Sequence, residues 1–118
     1  MALVPRHWQL CVLVLLFGAA AAATCAQSIT ATPAVVRAAQ ALQPDPDNGT
    51  TIWDNACAAC HGELGQGGDG GGADIRNSPL SLSEIMMVVY EGRNTMPGFS
   101  GFTEQELLDV SSYVLNSL

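Results

Sequence analysis

The chain has 118 residues, which allows one domain, and it is acidic, with eleven Asp and Glu against four Arg and no Lys, for a net charge of −7. This balance argues against a nucleic-acid partner, because phosphate binding needs clustered positive charge. Two interpretations of the acidic surface stay open: it serves solubility alone, or it steers a partner with a basic or neutral docking face.

Residues 1–26 have the order of a secretory signal peptide. A short basic start precedes an apolar run at residues 10–23, and small residues crowd the end of that run. The run has about 14 residues, fewer than the roughly 20 that span a bilayer. The sequence therefore predicts export to the periplasm, with cleavage after Ala23 or Ala26. Two alternatives remain open, namely a retained membrane anchor and a lipidated Cys25.

The chain after the leader divides into a linker and a helical domain. Residues 27–46 are rich in Ala and Thr and end in a Pro-Asp-Pro turn, which predicts a linker. The domain is predicted over residues 47–118, and its first helix over residues 47–59. Asp47 or Asn48 is the expected N-cap of that helix.

A C-x-x-C-H motif begins in the last turn of the first helix and carries the chemistry. Cys57 and Cys60 are three apart and so share one helix face, from which both thiols can add across the vinyl groups of one haem. His61 then lies beneath the ring, where its imidazole can ligate the iron, and this order is typical of c-type haem attachment. A thioredoxin-like pair needs a βαβ context, and a zinc site needs four ligands; the sequence offers neither. Covalent haem would also stabilise a domain too small to rely on its apolar core.

Glycine dominates residues 62–72, which predicts a loop. The segment lacks the lysine and the order of a phosphate-binding loop. Two interpretations stay open: a flexible linker, or a backbone that wraps closely around something flat, where side chains would collide.

Two capping boxes predict two more helices. Ser81 with Glu84 begins a helix that runs to about Glu91, and Thr103 with Glu106 begins one that continues close to the C-terminus. The sequence shows no period-two alternation long enough for a strand. The predicted fold class is therefore all-α, with three to four helices and long loops.

The sixth iron ligand is predicted from the methionines, because His61 is the sole histidine after the leader. Met86 and Met87 lie in the middle of a predicted helix, where methionine ordinarily fills the core. Met96 lies in a loop that Pro97 stiffens, and a methionine held in this way can present its sulfur to a metal. Met96 is therefore the predicted distal ligand.

These motifs together resemble the class I cytochrome c family over about residues 47–117. The resemblance rests on the motif with its following glycine, the Gly-rich loop, the Met-Pro-Gly-Phe segment from Met96 and the last helix with Tyr113. It implies a cytochrome c fold around one covalent haem c, with His61 as proximal and Met96 as distal ligand. It also implies that Gly49 and Trp53 cross the last helix near Tyr113.

Within that family, residues 72–76 are similar to a Gly-Pro-Asp-Leu-Arg run of haem domains attached to periplasmic dehydrogenases. Ala73 stands where that run has proline. In the family the backbone carbonyl at this position orients the proximal imidazole, and alanine keeps the carbonyl. The same match implies that Arg76 pairs with a haem propionate, with a solvated arginine as the open alternative.

The expected function is that of a monohaem single-electron carrier rather than an enzyme, because two filled axial positions leave no open site on the iron. The expected partners are a periplasmic dehydrogenase or cytochrome complex as donor and a terminal oxidase as acceptor, with the chain acting alone or as a complex subunit. One alternative is a haem-based gas or redox sensor with a displaceable Met96. A peroxidase would need a second histidine for distal acid–base chemistry, and the mature part has only His61.

Overall fold

The structure, a computed structural model, describes residues 32–118, so the predicted leader lies outside the described residues. The described part is helical, and its one β-type contact is an isolated bridge between Arg93 and Met96. This confirms the predicted all-α class. No helix in this part is both long and apolar enough to cross a membrane. The helices are α1 (Ala34–Ala39), α2 (Pro46–Ile52), α3 (Ala58–His61), α4 (Leu82–Glu91) and α5 (Glu104–Ser117), and a π-helical turn (Trp53–Cys57) joins α2 to α3.

Helix α1 lies inside the segment predicted as a linker. Its Val36 and Ala39 have no exposed surface, and the helix packs against α5 and α4. The linker prediction over residues 27–46 is therefore wrong for this stretch. The prolines on either side of α1 do interrupt the chain there. Between them, however, alanine and arginine favour a helix, and the burial of Val36 stabilises it.

Helix α2 begins one residue earlier than predicted because of its cap. The Asp45 carboxylate accepts hydrogen bonds from the backbone N–H groups of Asp47 (3.0 Å) and Asn48 (3.2 Å). Asp45 is thus the N-cap in place of Asp47 or Asn48, and Pro46 occupies the first helical turn, where a missing N–H costs nothing.

The π-helical turn was not predicted. The N–H of Ala58 donates to the carbonyl of Trp53, five residues back, so the helix widens just before the C-x-x-C-H motif. Trp53 and Cys57, at the two ends of this turn, are both buried. The π-helical turn therefore places the first cysteine of the motif, Cys57, in the core.

The crossing of α2 over α5 brings the two backbones together at Gly49. A Cβ added there would lie 2.5 Å from the carbonyl oxygen of Asp109 and 3.1 Å from the Cβ of Tyr113. One turn later the rings of Trp53 and Tyr113 pack with centroids 5.9 Å apart. The helix crossing implied by the family resemblance is therefore present.

A buried carboxylate joins the start of α2 to α5. Asp109 is only 1% exposed, yet it accepts three hydrogen bonds. The donors are the N–H of Asp45 (2.7 Å), the amide of Asn48 (2.8 Å) and the amide of Gln105 (2.7 Å). Because a buried carboxylate needs hydrogen-bond donors and two of these come from the start of α2, the network fixes the angle at which α2 enters the domain.

We expect Gly49→Ala to lower the free energy of unfolding by about 1–3 kcal/mol, the usual cost of overpacking. The helix propensity of alanine alone would raise it by about 1 kcal/mol, so the sign of the change is informative. Urea unfolding followed by circular dichroism measures it. Gly68→Ala is the control, since a Cβ there meets nothing within 4 Å. A stabilised Gly49→Ala variant would contradict the close crossing.

Both predicted capping boxes are present. Ser81 Oγ donates to Glu84 (2.6 Å), and Thr103 Oγ1 donates to Glu106 (2.9 Å), while each glutamate also accepts from the backbone N–H of its capping residue. These hydrogen bonds favour the charged carboxylates and hold the pKa of Glu84 and of Glu106 below the ordinary value. The two caps fix where α4 and α5 begin.

Candidate cofactor site

Two adjoining cavities lie between the motif and the segment around Met96. The inner cavity has a volume of about 80 Å³ and the outer cavity about 350 Å³. His61 and Met96 border both cavities, so the two form one crevice. The inner cavity is lined by Trp53, Cys57, His61, Ile75, Ser78, Leu80, Ile85, Val88, Val89, Met96, Val110 and Val114.

The crevice brings together four of the five predicted site residues. Cys57 borders the inner cavity, Cys60 borders the outer cavity, and His61 and Met96 border both. They come from two parts of the chain, the motif that ends α3 and the loop that follows α4. Arg76, the fifth, borders neither cavity.

The His61 ring is held in one orientation by a backbone carbonyl. Its Nδ1 lies 2.9 Å from the carbonyl oxygen of Ala73. Because a carbonyl only accepts, Nδ1 carries the proton, and the lone pair of Nε2 is free for a metal. The expectation that Ala73 keeps this hydrogen bond in place of proline agrees with the geometry.

The Gly-rich loop folds back onto the motif. The N–H of Gly67 donates to the carbonyl of His61 (2.7 Å), and the N–H of Gly72 donates to that of Cys60 (2.9 Å). A Cβ at Gly70 would collide with the carbonyl of Ala59, and one at Gly72 with that of Cys60. The loop therefore wraps closely, as one of the two interpretations expected, and is not a free linker. The surface that it wraps includes the backbone of the C-x-x-C-H motif.

Met96 is held by a tight turn rather than by a helix. The N–H of Arg93 donates to the carbonyl of Met96 (3.1 Å), and the N–H of Met96 donates to that of Arg93 (2.9 Å). Asn94 closes the turn at φ 54°, a left-handed conformation that asparagine tolerates. Met86, by contrast, is fully buried in the core, as predicted for the helical methionines, and Met87 packs against that core.

The two cysteines differ in their surroundings. Cys57 is buried and Cys60 is exposed, and no disulfide joins them. Burial, and secondarily the neighbouring Cys60, raises the pKa of the Cys57 thiol to about 11. A thiol–disulfide redox pair needs a readily formed thiolate. The environment of Cys57 therefore disfavours thioredoxin-like chemistry.

Arg76 is engaged away from the crevice. Its Nε donates to Asp74 Oδ1 (3.0 Å), and its Nη2 forms an ion pair with Asp74 Oδ2. The side-chain hydrogen bonds from Arg76, together with its backbone N–H, lower the pKa of Asp74 to about 2. In this structure Arg76 therefore pairs with Asp74 and lines neither cavity.

Several lining residues escaped the sequence analysis. Val110 and Val114 are apolar residues one turn apart on the last helix, a spacing that could have pointed to the crevice. Ser78 and Leu80 lie in an irregular segment with no period to read. Arg93 lines the outer cavity and belongs to no motif that the sequence analysis used.

The crevice fits a haem by its chemistry. The described residues around the inner cavity are mostly apolar and include no acid, lysine or arginine, which suits a flat macrocycle. Two thiols, an imidazole with a free Nε2 and a thioether stand at its border, and this donor set is that of haem c.

Comparison with known proteins decides the family. Residues 44–114 match the family model described as cytochrome C oxidase, cbb3-type, subunit III. Cytochrome c6 of Thermosynechococcus vestitus is 34% identical over 88 residues, covering 64% of this chain and 73% of that protein. Cytochrome c6 of Parathermosynechococcus lividus is 33% identical over 84 residues (61% and 90%), and that of Pyropia yezoensis 31% over 89 residues (64% and 74%). The chain belongs to the class I c-type cytochromes.

This cytochrome therefore carries one covalently bound haem c with its iron and transfers single electrons. It is an electron-transfer protein rather than an enzyme, and its partners are other redox proteins. The family match begins at residue 44, so α1 lies ahead of the segment that this cytochrome shares with the family model.

Proposed function

We propose that Cys57 and Cys60 hold the haem through thioether bonds and that His61 and Met96 are its axial ligands. The single observation that carries this proposal is that all four side chains border one crevice with an apolar interior. When bound, the haem supplies an iron that changes reversibly between its ferric and ferrous states.

The protein's own groups prepare each ligand for this task. The Ala73 carbonyl fixes the His61 proton on Nδ1, which leaves Nε2 as the ligand atom and increases its basicity. The paired backbone hydrogen bonds between Arg93 and Met96 limit the movement of the thioether. A ligand held in this way needs little rearrangement when the iron changes charge, and methionine ligation raises the reduction potential.

Electrons would pass through the outer cavity, where the structure is open. Cys60 is exposed there, and the described lining of that cavity consists of glycines, short polar residues and apolar residues, with Arg93 as its one charged side chain. A partner can approach such a surface closely across a small transient interface. The chain's net charge of −7 favours partners with a basic or neutral face.

The cellular setting that we propose is a periplasmic respiratory or dehydrogenase-linked chain. The leader-like order of residues 1–26 supports export, and residues 72–76 support a link to dehydrogenases. The donor would be a dehydrogenase or cytochrome complex and the acceptor a terminal oxidase. Cell fractionation tests the location, and electron transfer from candidate dehydrogenases tests the donor.

The absorption spectrum of the reduced native protein, recorded before and after addition of CO, tests the ligand set. We expect no rapid change, because Met96 would occupy the sixth position and is held by its turn. A rapid shift of the bands would show that the methionine is displaced by a diatomic gas, and the sensor function would then replace the carrier function.

A further inference from the structure

The haem carries two carboxylates as well as an apolar macrocycle, and the crevice has to accommodate both. A buried carboxylate without a partner is strongly unfavourable. The described lining of the inner cavity offers no lysine or arginine. If the proposed function holds, on which this inference rests, the carboxylates must therefore lie toward the outer cavity.

Arg93 is the one arginine or lysine among the described residues that line the outer cavity. Arg76, which the family resemblance suggests for this role, lines neither cavity, and Asp74 engages both its Nε and its Nη2. Within residues 32–118 that pair is the only ion pair, so the Arg93 guanidinium is not committed to a carboxylate of the described chain.

Glu84, an acid whose pKa the charge of Arg93 affects, already has hydrogen-bond donors of its own. The pKa of Glu84 is lowered first by its hydrogen bonds from Ser81 and also by the charge of Arg93. Its carboxylate, however, accepts hydrogen bonds from the backbone N–H (2.8 Å) and Oγ (2.6 Å) of Ser81, which cap α4. Arg93 therefore keeps its donors for another anion.

The backbone of Arg93 is fixed relative to the proposed distal ligand. The two hydrogen bonds that join Arg93 to Met96 close a turn at the cavity edge, with Asn94 in the left-handed conformation. The arginine side chain thus begins at a fixed place beside the haem position. A planar guanidinium can bind a carboxylate through two parallel hydrogen bonds.

We propose that Arg93, rather than Arg76, binds a carboxylate of the haem. The interaction neutralises one haem charge at the mouth of the crevice and links that charge to the loop that carries Met96. A positive charge beside the haem favours the ferrous state, which has one positive charge fewer. Arg93 therefore also raises the reduction potential.

The reduction potentials of Arg93→Gln, Arg93→Lys and Arg76→Gln test this proposal in the haem-loaded protein. We expect Arg93→Gln to lower the potential, Arg93→Lys to lower it less, and Arg76→Gln to change it least. Arg76→Gln is a matched control because it removes the same charge from an exposed position outside both cavities. The weak red absorption band of a ferric methionine ligand checks in each variant that Met96 stays bound.

Two results would overturn the proposal: a potential equally or more affected by Arg76→Gln, and an unchanged potential in Arg93→Gln. If an unchanged potential in Arg93→Gln came with a slower reaction toward redox partners, Arg93 would be assigned to docking. An experimental structure of the haem-loaded wild type tests the proposal without any variant. An Arg93 guanidinium bonded to a haem carboxylate supports the proposal, and one turned to solvent contradicts it. Loss of covalent haem from the wild type on a denaturing gel would instead contradict the proposed function.

Discussion

Replacement of both Cys57 and Cys60 by Ala is expected to abolish covalent haem completely. In the proposed assignment each cysteine supplies one thioether sulfur, and the described residues contain no other cysteine. Denaturing electrophoresis with haem staining measures the loss, and the intact mass of the protein confirms it. The folded state should weaken at the same time, because the crevice at the centre of a small domain would lose the group that fills it.

The single variants are the matched controls for this experiment. Cys57→Ala and Cys60→Ala each keep one thioether bond, so a reduced amount of haem should remain attached after denaturation. Cys57→Ala should be the more destabilising of the two, because Cys57 is buried and Cys60 is exposed. Haem that stays attached to the double variant would refute the assignment of these residues.

Substitution of Met96 by Ala is expected to lower the reduction potential by on the order of 0.2 V, within the roughly 0.8 V range that axial ligands set. Loss of the thioether removes the ligand that favours the ferrous state, and it opens a coordination position. The ferrous variant should therefore bind CO rapidly. Potentiometric titration and the CO difference spectrum measure the two effects.

Met87→Ala provides the comparison for Met96→Ala, because it removes the same side chain from a half-buried position in α4 that lines neither cavity. We expect its potential and its CO spectrum to match those of the wild type. A Met96→Ala variant with an unchanged potential would show that another group is the distal ligand.

The parts of this fold that the sequence could predict depend on local signals. A C-x-x-C-H motif, two capping boxes and a loop methionine before proline each specify their geometry within a few residues. The structure accordingly has both caps where they were predicted, and it brings the motif and Met96 to one crevice. The helix crossing at Gly49 has no local signal in the sequence, and only the resemblance to a family predicted it.

The parts that could not be predicted depend on contacts between distant residues. Helix α1 forms because Val36 and Ala39 pack against α5, about 70 positions later in the sequence. Asp109 resembles an ordinary surface acid on an amphipathic helix until α2 brings its donors to it. In the sequence only the family resemblance singles out an arginine, Arg76, whereas in the structure it is Arg93 that lines the outer cavity.

A redox titration of the purified native protein, followed by its absorption spectrum, tests most directly whether this cytochrome is a single-electron carrier with both axial positions filled. We predict one reversible wave with a one-electron slope and six-coordinate, low-spin spectra in both oxidation states. A ferrous form that loses its sixth ligand during the titration, or a wave with any other slope, would contradict that account.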